Sequence, residues 1–131
     1  MDLEQFTEKS RNVLQGAQAL ALRSHHQRFT PEHVLAALLE EPTVVSLLEA
    51  TGADVGTISQ RTAAALAKLP KVEGSGAQMY LAPDTARALD QAKELAKKVG
   101  DQYVTVERLL QALTLGTDAP SATILKEGGV T

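Results

Sequence analysis

The amino-acid sequence predicts an all-α protein built from two copies of one helical unit. Three observations support this prediction. Leu, Ala and Val supply most of the apolar residues, whereas the chain has two Phe, two Tyr and no Trp, and Leu and Ala favour helices over strands. Apolar residues recur at helical spacing along most of the chain. The second half of the sequence repeats the first half at a constant offset.

The first unit is predicted to contain four helices. Apolar residues at helical spacing predict the first helix over 3–24. The sequence Thr-Pro-Glu at 30–32 is typical of a helix start, because it offers a capping hydroxyl, a proline suited to the first position and a carboxylate near the positive end of the dipole. This second helix ends before Pro42. The third and fourth helices are predicted over 44–50 and 54–68.

A connecting segment and a second helical unit follow. Pro and Gly interrupt the periodicity, which predicts a linker over 70–80. A fifth helix is predicted to begin at Pro83 and to end before Gly100, a residue suited to a left-handed helix terminus. Thr105 is the predicted cap of a sixth helix. A short seventh helix is predicted over 121–127.

The internal repeat is the strongest sequence evidence for this architecture. An offset of 75 residues aligns 6–39 with 81–114 without a gap, and ten of these 34 positions are identical. Chance would give about two to four identities, so a duplication is indicated. The identical pairs are Leu14/Leu89, Ala17/Ala92, Leu20/Leu95, Ala21/Ala96, Gln27/Gln102, Thr30/Thr105, Glu32/Glu107, Leu35/Leu110, Ala37/Ala112 and Leu38/Leu113.

The duplication predicts a single domain over 1–131, with repeat one at 3–69 and repeat two at 81–131. Repeat two stops before a counterpart of the fourth helix. We therefore expect that the last helix of a four-plus-four arrangement is missing and that the chain is part of a longer protein.

The charge and composition argue against several classes of function. The formal net charge is −3 and Lys and Arg form no cluster, which disfavours a nucleic-acid or anionic membrane surface. There is no cysteine, so no thiolate nucleophile, disulfide or cysteine-based metal site is expected. The N-terminus has no secretory pattern, and no run of about 18 apolar residues occurs. A cytoplasmic location is expected.

Motifs for catalysis or metal binding are scarce. There is no phosphate-binding loop, and the Gly-Ser-Gly sequence at 74–76 is interpreted as a flexible linker. His25, His33 and Glu32 leave a metal-dependent enzyme as an alternative hypothesis, although no H-E-x-x-H spacing supports it. We expect no catalytic residue, no metal and no cofactor within these residues.

Glu32 and Glu107 occupy matching positions in the two repeats, each in the first turn of a predicted helix. A carboxylate there stabilises the helix dipole by about 0.3–1 kcal/mol. It can also accept a hydrogen bond from the backbone amide or cationic group of a ligand. The first role is favoured for Glu32. The two roles are more evenly balanced for Glu107, because Asp101 lies in the preceding turn and can converge on the same surface.

Three segments together resemble the amino-terminal (Clp N) domain of Clp-family AAA+ chaperones, and within that family the ClpB type. They are FTPEHVLAALL at 29–39, GDQYVTVERLL at 100–110 and the linker LPKVEGSG at 69–76. The linker is similar to that of the ClpB type and differs from those of the ClpA and ClpC types. The resemblance extends over essentially the whole chain.

The resemblance implies a pseudo-twofold bundle of eight helices, a duplicated four-helix unit. It also implies that this bundle is a mobile binding domain ahead of two ATPase rings in a hexameric parent protein. Such a domain binds exposed hydrophobic segments of unfolded or aggregated proteins in an apolar groove and passes them to the ring pore. The family's polar binding residues correspond to Thr7, Asp101 and Glu107, although Thr7 has a second interpretation as a helix cap. The implied cofactor of the parent protein is ATP. The chain itself is expected to be a monomeric binding module without enzymatic activity.

A second binding role stays open, which is the docking of a specific adaptor protein, as in ClpA- and ClpC-type unfoldases. Two packed helical units leave a seam between them, and an apolar groove there can take an extended or helical segment. Walls of Leu, Val and Ala discriminate little between sequences, so many weakly bound clients are expected. Acceptors such as Asp101 and Glu107 would orient the segment.

Overall fold

A computed structural model describes residues 3–72, 79–116 and 119–130. Within these residues the fold is helical apart from one parallel pairing of two short strands, and the predicted all-α class is confirmed. Positions 73–78 of the predicted linker lie outside the described residues. In chain order the elements are α1 (Glu8–Arg23), β1 (Arg28–Phe29), α2 (Pro31–Leu38), α3 (Pro42–Ala50), α4 (Val55–Ala67), β2 (Tyr80–Leu81), α5 (Pro83–Lys98), α6 (Val106–Leu115) and α7 (Pro120–Glu127).

Helix α1 begins at Glu8, so the predicted start at residue 3 is wrong. Phe6 forms a parallel bridge with Val104, which keeps the preceding backbone extended. Thr7 is the N-cap of α1, and its Oγ1 accepts a hydrogen bond from Ser10 N at 3.1 Å. Phe6 is buried, but against the second unit and not on the face of a helix. Apolar spacing alone does not distinguish these two placements.

The other predicted helix bounds agree with the structure to within one or two residues, except that α2 ends at Leu38, three residues before the end expected from Pro42. Helix α2 begins at Pro31 after the N-cap Thr30, as predicted, and its capping box uses His33, whose Nδ1 accepts from Thr30 N at 3.0 Å. Helix α3 begins at Pro42, two residues before the predicted start. The same proline ends one helix and begins the next, because proline is tolerated at the first helical position.

The hydrophobic core is continuous across both units. Helix α1 packs on α2, α5 packs on α6, and α2 also contacts α4, α6 and α7. Helices α2 and α6 are therefore central, and the longer α1 and α5 cover them. Large buried side chains of this core include Leu14, Leu35, Leu38, Leu48, Ile58, Leu89, Leu110, Leu113 and Leu125.

Two extended segments connect the units in an equivalent way. Phe6 pairs with Val104, and in β1 and β2 Phe29 pairs with Leu81. The 75-residue offset relates Phe6 to Leu81 and Phe29 to Val104, so the pairings exchange under the pseudo-twofold relation. We call the pairing of 5–7 with Val104 the first seam and the pairing of β1 with β2 the second seam.

A buried hydroxyl supports each seam at matching positions. Ser10 Oγ donates to Val104 O at 2.9 Å, and Thr85 Oγ1 donates to Phe29 O at 2.7 Å. Both hydroxyl residues are fully buried, where an unpaired polar group would be costly. The duplicated sequence has therefore retained the contacts that join the two units as well as the helices.

Candidate functional site

The first seam brings Thr7 to the part of the second unit that carries the predicted acidic residues. Thr7 N donates to Val104 O at 3.0 Å, and Val104 N donates to Gln5 O at 2.7 Å. Val104 lies three positions after Asp101 and three before Glu107 in the sequence. Val104, which is 97 positions away in the sequence, therefore borders Thr7 through this backbone pairing.

The hydroxyl of Thr7 is engaged within α1. Its Oγ1 accepts from Ser10 N and donates to Ser10 Oγ at 2.9 Å. Ser10 Oγ in turn donates a hydrogen bond to Val104 O. Thr7 is thus a helix cap, as its alternative interpretation expects, and it is half-buried. One lone pair of Oγ1 remains available to a ligand, since a hydroxyl has two.

Asp101 and Glu107 lie on either side of the extended segment around Val104. Asp101 follows Gly100 at the end of α5, and its side chain is exposed. Glu107 is in the first turn of α6 and is half-exposed, while Thr105 caps this helix by accepting from Arg108 N at 3.4 Å. Both side chains are therefore at least partly exposed to solvent.

Exposed apolar side chains flank Asp101 in the sequence, and a cationic side chain lies over Phe6. Tyr103 is 48% exposed and Val99 is 56% exposed, and each lies two positions from Asp101. Lys93 of α5 places its Nζ 5.9 Å from the centroid of the Phe6 ring, next to Thr7. The sequence did not single out Lys93, because only the seam brings Phe6 to α5.

Glu32 lies in a different environment from Glu107. It is buried, and one of its carboxylate oxygens, Oε2, has no hydrogen-bond partner among the described residues. Burial is the main cause that raises the pKa of Glu32, and the negative charge of Asp84 is the second. A hydrogen bond from the Ser121 backbone and the positive charge of Arg28 act to lower it. Arg28 and Asp84 face each other at 4.0 Å. Helix α7 therefore covers the carboxylate of the first unit.

The histidines and Glu32 do not form the metal site of the alternative hypothesis. His33 contacts His26, whereas Glu32 interacts with Ser121 and Asp84, and His25 is exposed. Over 3–72, 79–116 and 119–130, no group of three or more His, Cys, Asp or Glu side chains could hold a metal ion.

Two cavities of the described residues lie away from the first seam. One, of about 200 Å³, is bordered by Asp84, Arg87 and Gln91 of α5 together with the end of α6 and the start of α7. The other, of about 640 Å³, is an open depression between α4 and α7 that includes Glu32. Neither is lined by Thr7, Asp101 or Glu107, so a client at the first seam would bind on a surface and not in these cavities.

None of the helices in the described part of the chain is long and apolar enough to cross a membrane.

Comparisons with known proteins agree on one family. The family described as "Clp repeat (R) N-terminal domain" matches residues 5–128. The chaperone protein ClpB of Rhodopseudomonas palustris is 48% identical over 134 residues, which cover all of this chain and 15% of that protein. The chaperone protein ClpB of Mesorhizobium japonicum is 47% identical over 133 residues, with the same coverage. The chain thus spans about 15% of the length of these relatives.

A solved structure shows the same fold. The Hsp104 N-terminal domain from Candida albicans superposes with a TM-score of 0.87 at 22% identity and covers 98% of this chain and 84% of that one. The sequence and structural comparisons together show that this chain belongs to the Clp N-terminal domain family, with ClpB proteins among its relatives.

Proposed function

We propose that this chain recruits substrates for an ATP-dependent protein disaggregase by binding exposed hydrophobic segments of unfolded or aggregated proteins. The client site comprises Thr7, Asp101 and Glu107. The observation that carries this proposal is the hydrogen bond from Thr7 N to Val104 O, because it joins the cap of α1 to the acidic turn of the other unit.

The chemistry of this surface suits an extended polypeptide. Exposed carboxylates at Asp101 and Glu107 accept hydrogen bonds from backbone amides or attract basic side chains of a client. Tyr103 and Val99 offer apolar area beside them, and Tyr combines an apolar ring with a polar tip. Such a surface fixes little side-chain identity, so it binds many clients weakly.

The remaining parts of the proposal concern the longer protein. The ClpB relatives are about seven times longer than this chain, since it covers 15% of their length. We assign ATP binding, the two ATPase rings and the hexameric assembly to those other parts. The domain itself binds clients in the cytoplasm, holds no cofactor and catalyses no reaction.

A titration of the isolated chain with carboxymethylated, unfolded lysozyme tests the site. Asp101→Asn and Glu107→Gln each remove a charge and keep the side-chain shape, and the expected result is a Kd raised about 5- to 30-fold, since an exposed charged hydrogen bond contributes about 1–2 kcal/mol. Glu49→Gln, on the exposed face of α3, is the matched control and should leave the Kd unchanged.

Two results would contradict this assignment. Equal affinity of the Asp101 and Glu107 variants and the unmodified chain would place the client elsewhere. Unfolding of either variant in circular dichroism would make that residue structural, which its exposure does not predict.

Docking of a specific partner is the second candidate function, and one neighbour favours it. A ClpV N-domain solved in complex with a VipB peptide superposes on this chain with a TM-score of 0.74 at 22% identity, and the match covers all of this chain and 84% of that one. By analogy, an adaptor segment would occupy the present domain. Saturable binding of one folded partner, with no binding of unfolded lysozyme, would favour adaptor docking over client recruitment.

A further inference from the structure

Two buried histidines contact each other between the end of α1 and the start of α2. His26 Nδ1 lies 2.8 Å from His33 Nε2, and the ring centroids are 5.0 Å apart. His33 is 0% exposed and His26 is 6% exposed. Neither side chain borders the proposed client site, so client recruitment does not explain the pair.

The surrounding hydrogen bonds define where the protons of this pair lie. The backbone N–H of Thr30 can only donate, and its nitrogen is 3.0 Å from His33 Nδ1, so that ring nitrogen is the acceptor. The proton of neutral His33 is then on Nε2 and is donated to His26 Nδ1. His26 in turn carries its proton on Nε2. The hydrogen-bond network thus assigns one tautomer to each neutral ring.

A further proton is disfavoured in this network. On His26 Nδ1 it would face the N–H of His33. On His33 Nδ1 it would face the backbone N–H of Thr30, and the Thr30 hydroxyl oxygen, at 2.8 Å, would have to turn its own hydrogen away to accept it. The pKa of His33 is lowered to about 4, chiefly by burial and next by the charge of His26. The Thr30 backbone acts in the opposite direction with a smaller effect. Burial also lowers the pKa of His26, followed by the positive charge of Lys71. The ring of Phe29, 6.1 Å from that of His33, adds apolar surroundings without charge.

The charged and titratable groups around the pair are few. In the described part of the chain, Lys71 acts on His26, and the two rings act on each other. Lys71 belongs to the segment after α4, and its positive charge is a further reason for a neutral pair. Low pH therefore disfavours the native pair, because no carboxylate compensates a charged imidazole there.

The pair holds two separate pieces of backbone together. His26 forms an antiparallel bridge with Lys71, and Val72 N donates to His25 O at 2.8 Å. His25 has a φ of 59°, a left-handed conformation that residues other than glycine seldom adopt. At the other end, Thr30 links the His33 ring to the first turn of α2. The turn at 25–26 is thus held in an unfavourable conformation by these contacts.

We propose that the His26–His33 pair is an acid-sensitive latch. While both rings are neutral, it holds the 25–26 turn and the Lys71–Val72 segment against α2, and uptake of one more proton releases them. The second seam begins two residues after His26, so release also weakens the pairing of β1 with β2. This regulatory property goes beyond client recruitment and does not rest on it.

Nuclear magnetic resonance of the unmodified chain tests the latch. The imidazole signals of His26 and His33 are followed from pH 7.5 to 3.5, with the exposed His25 as the internal reference. Both midpoints should lie below 6.5, and that of His33 near 4. The hydrogen-exchange protection of the Val72 amide, corrected for intrinsic exchange, should fall on the order of 50-fold between pH 7 and 4.5, because the opened His33 regains an ordinary pKa.

Two variants separate the latch from general acid destabilisation. In His33→Gln the side chain keeps an acceptor for Thr30 N and a donor for His26 but no longer titrates. The fall in Val72 protection over the same range should therefore be clearly smaller than in the unmodified chain, because only the contribution of His26 remains. His25→Asn is the matched control, because Asn tolerates the left-handed conformation, and it should retain the full fall.

The unmodified chain decides the outcome even where a variant fails to fold. A His33 midpoint at or above 6.5 would show that the native pair accepts a proton without cost and would overturn the proposal. Constant protection of the Val72 amide down to pH 4.5 would overturn it as well, because the segment would then be held independently of the pair.

Discussion

The turns that follow α1 and α5 share a backbone and differ in their side chains. Each contains a left-handed residue, His25 at φ 59° and Gly100 at φ 81°. In each, the next N–H donates to the carbonyl five residues earlier, at 2.9 Å for His26 and 2.8 Å for Asp101. The two turns therefore have the same backbone conformation, although only the second unit has glycine at the left-handed position.

The side chains of these two turns differ in their exposure to solvent. His26 is buried and contacts His33, whereas Asp101 is exposed. Arg108 is the counterpart of His33, and its Nη1 donates a hydrogen bond to Gln111 Oε1 at 2.8 Å. We call the turn at 25–26, where His26 is buried, the sealed turn, and the turn at 100–101, where Asp101 is exposed, the open turn. The matching turns of the two units therefore differ in burial, although their backbones agree.

The largest expected effect is that of His33→Ala, which would test the sealed turn. The substitution removes a fully buried ring and leaves the Thr30 N–H and His26 without their partner. We expect a loss of about 3 kcal/mol in the free energy of unfolding at pH 7, from the cavity and the unpaired groups together. Urea denaturation followed by circular dichroism measures it.

Arg108→Ala, at the matching position in the first turn of α6, is the control from the second unit. Arg108 is half-buried and its Nε has no hydrogen-bond partner among the described residues, but its hydrogen bond to Gln111 is exposed. The expected loss is therefore about 1 kcal/mol, clearly smaller than that of His33→Ala. Equal losses in the two variants would show that the units are alike in this respect and would contradict the distinction between a sealed and an open turn.

An intermediate effect is expected where the backbones of the two turns are compared directly. Gly100→Ala places a Cβ in open space, with no atom within 4 Å, so its cost comes from the left-handed conformation alone, about 1–2 kcal/mol. His25→Gly removes that strain in the first unit, which stabilises the folded chain. Glycine also has a greater conformational entropy in the unfolded chain, which destabilises the folded one, so the two effects offset each other. We expect its unfolding free energy to stay within about 1 kcal/mol of the unmodified chain, by the same urea assay. A neutral Gly100→Ala would mean that the turn can relax to a negative φ.

The sequence predicted the helices and their duplication because both leave regular patterns. Apolar spacing marks α1 and α5, and the Thr-Pro-Glu sequence marks the start of α2. The two seams were not predicted, since strands of two residues have no recognisable periodicity and depend on tertiary contacts. For the same reason the helical assignment of Phe6 was wrong.

The candidate site was predictable in part, and for a different reason. Thr7, Asp101 and Glu107 came from the family resemblance, and their role in binding stays a prediction. The structure adds that Thr7 borders Val104 through the first seam, which relates residues of both units. The His26–His33 contact was not predicted, because it depends on how the turn after α1 folds against the start of α2 and no motif spacing marks it.

The smallest expected effect concerns the two glutamates at matching helix starts. Burial raises the pKa of Glu32, so the native state binds its proton more tightly than the unfolded chain does. The stabilisation that this proton provides is complete below the unfolded value of 4.5 and is lost as the pH rises through the native pKa. Glu32→Gln stays neutral and avoids this loss, so it should gain at most about 1 kcal/mol over the unmodified chain between pH 4.5 and pH 8. Urea denaturation at both pH values measures the difference, and Glu107→Gln is the matched control from the half-exposed position. A gain of the same size in the Glu107 variant would show that burial under α7 is not its cause, and the two units would then differ at their turns but not at their helix starts.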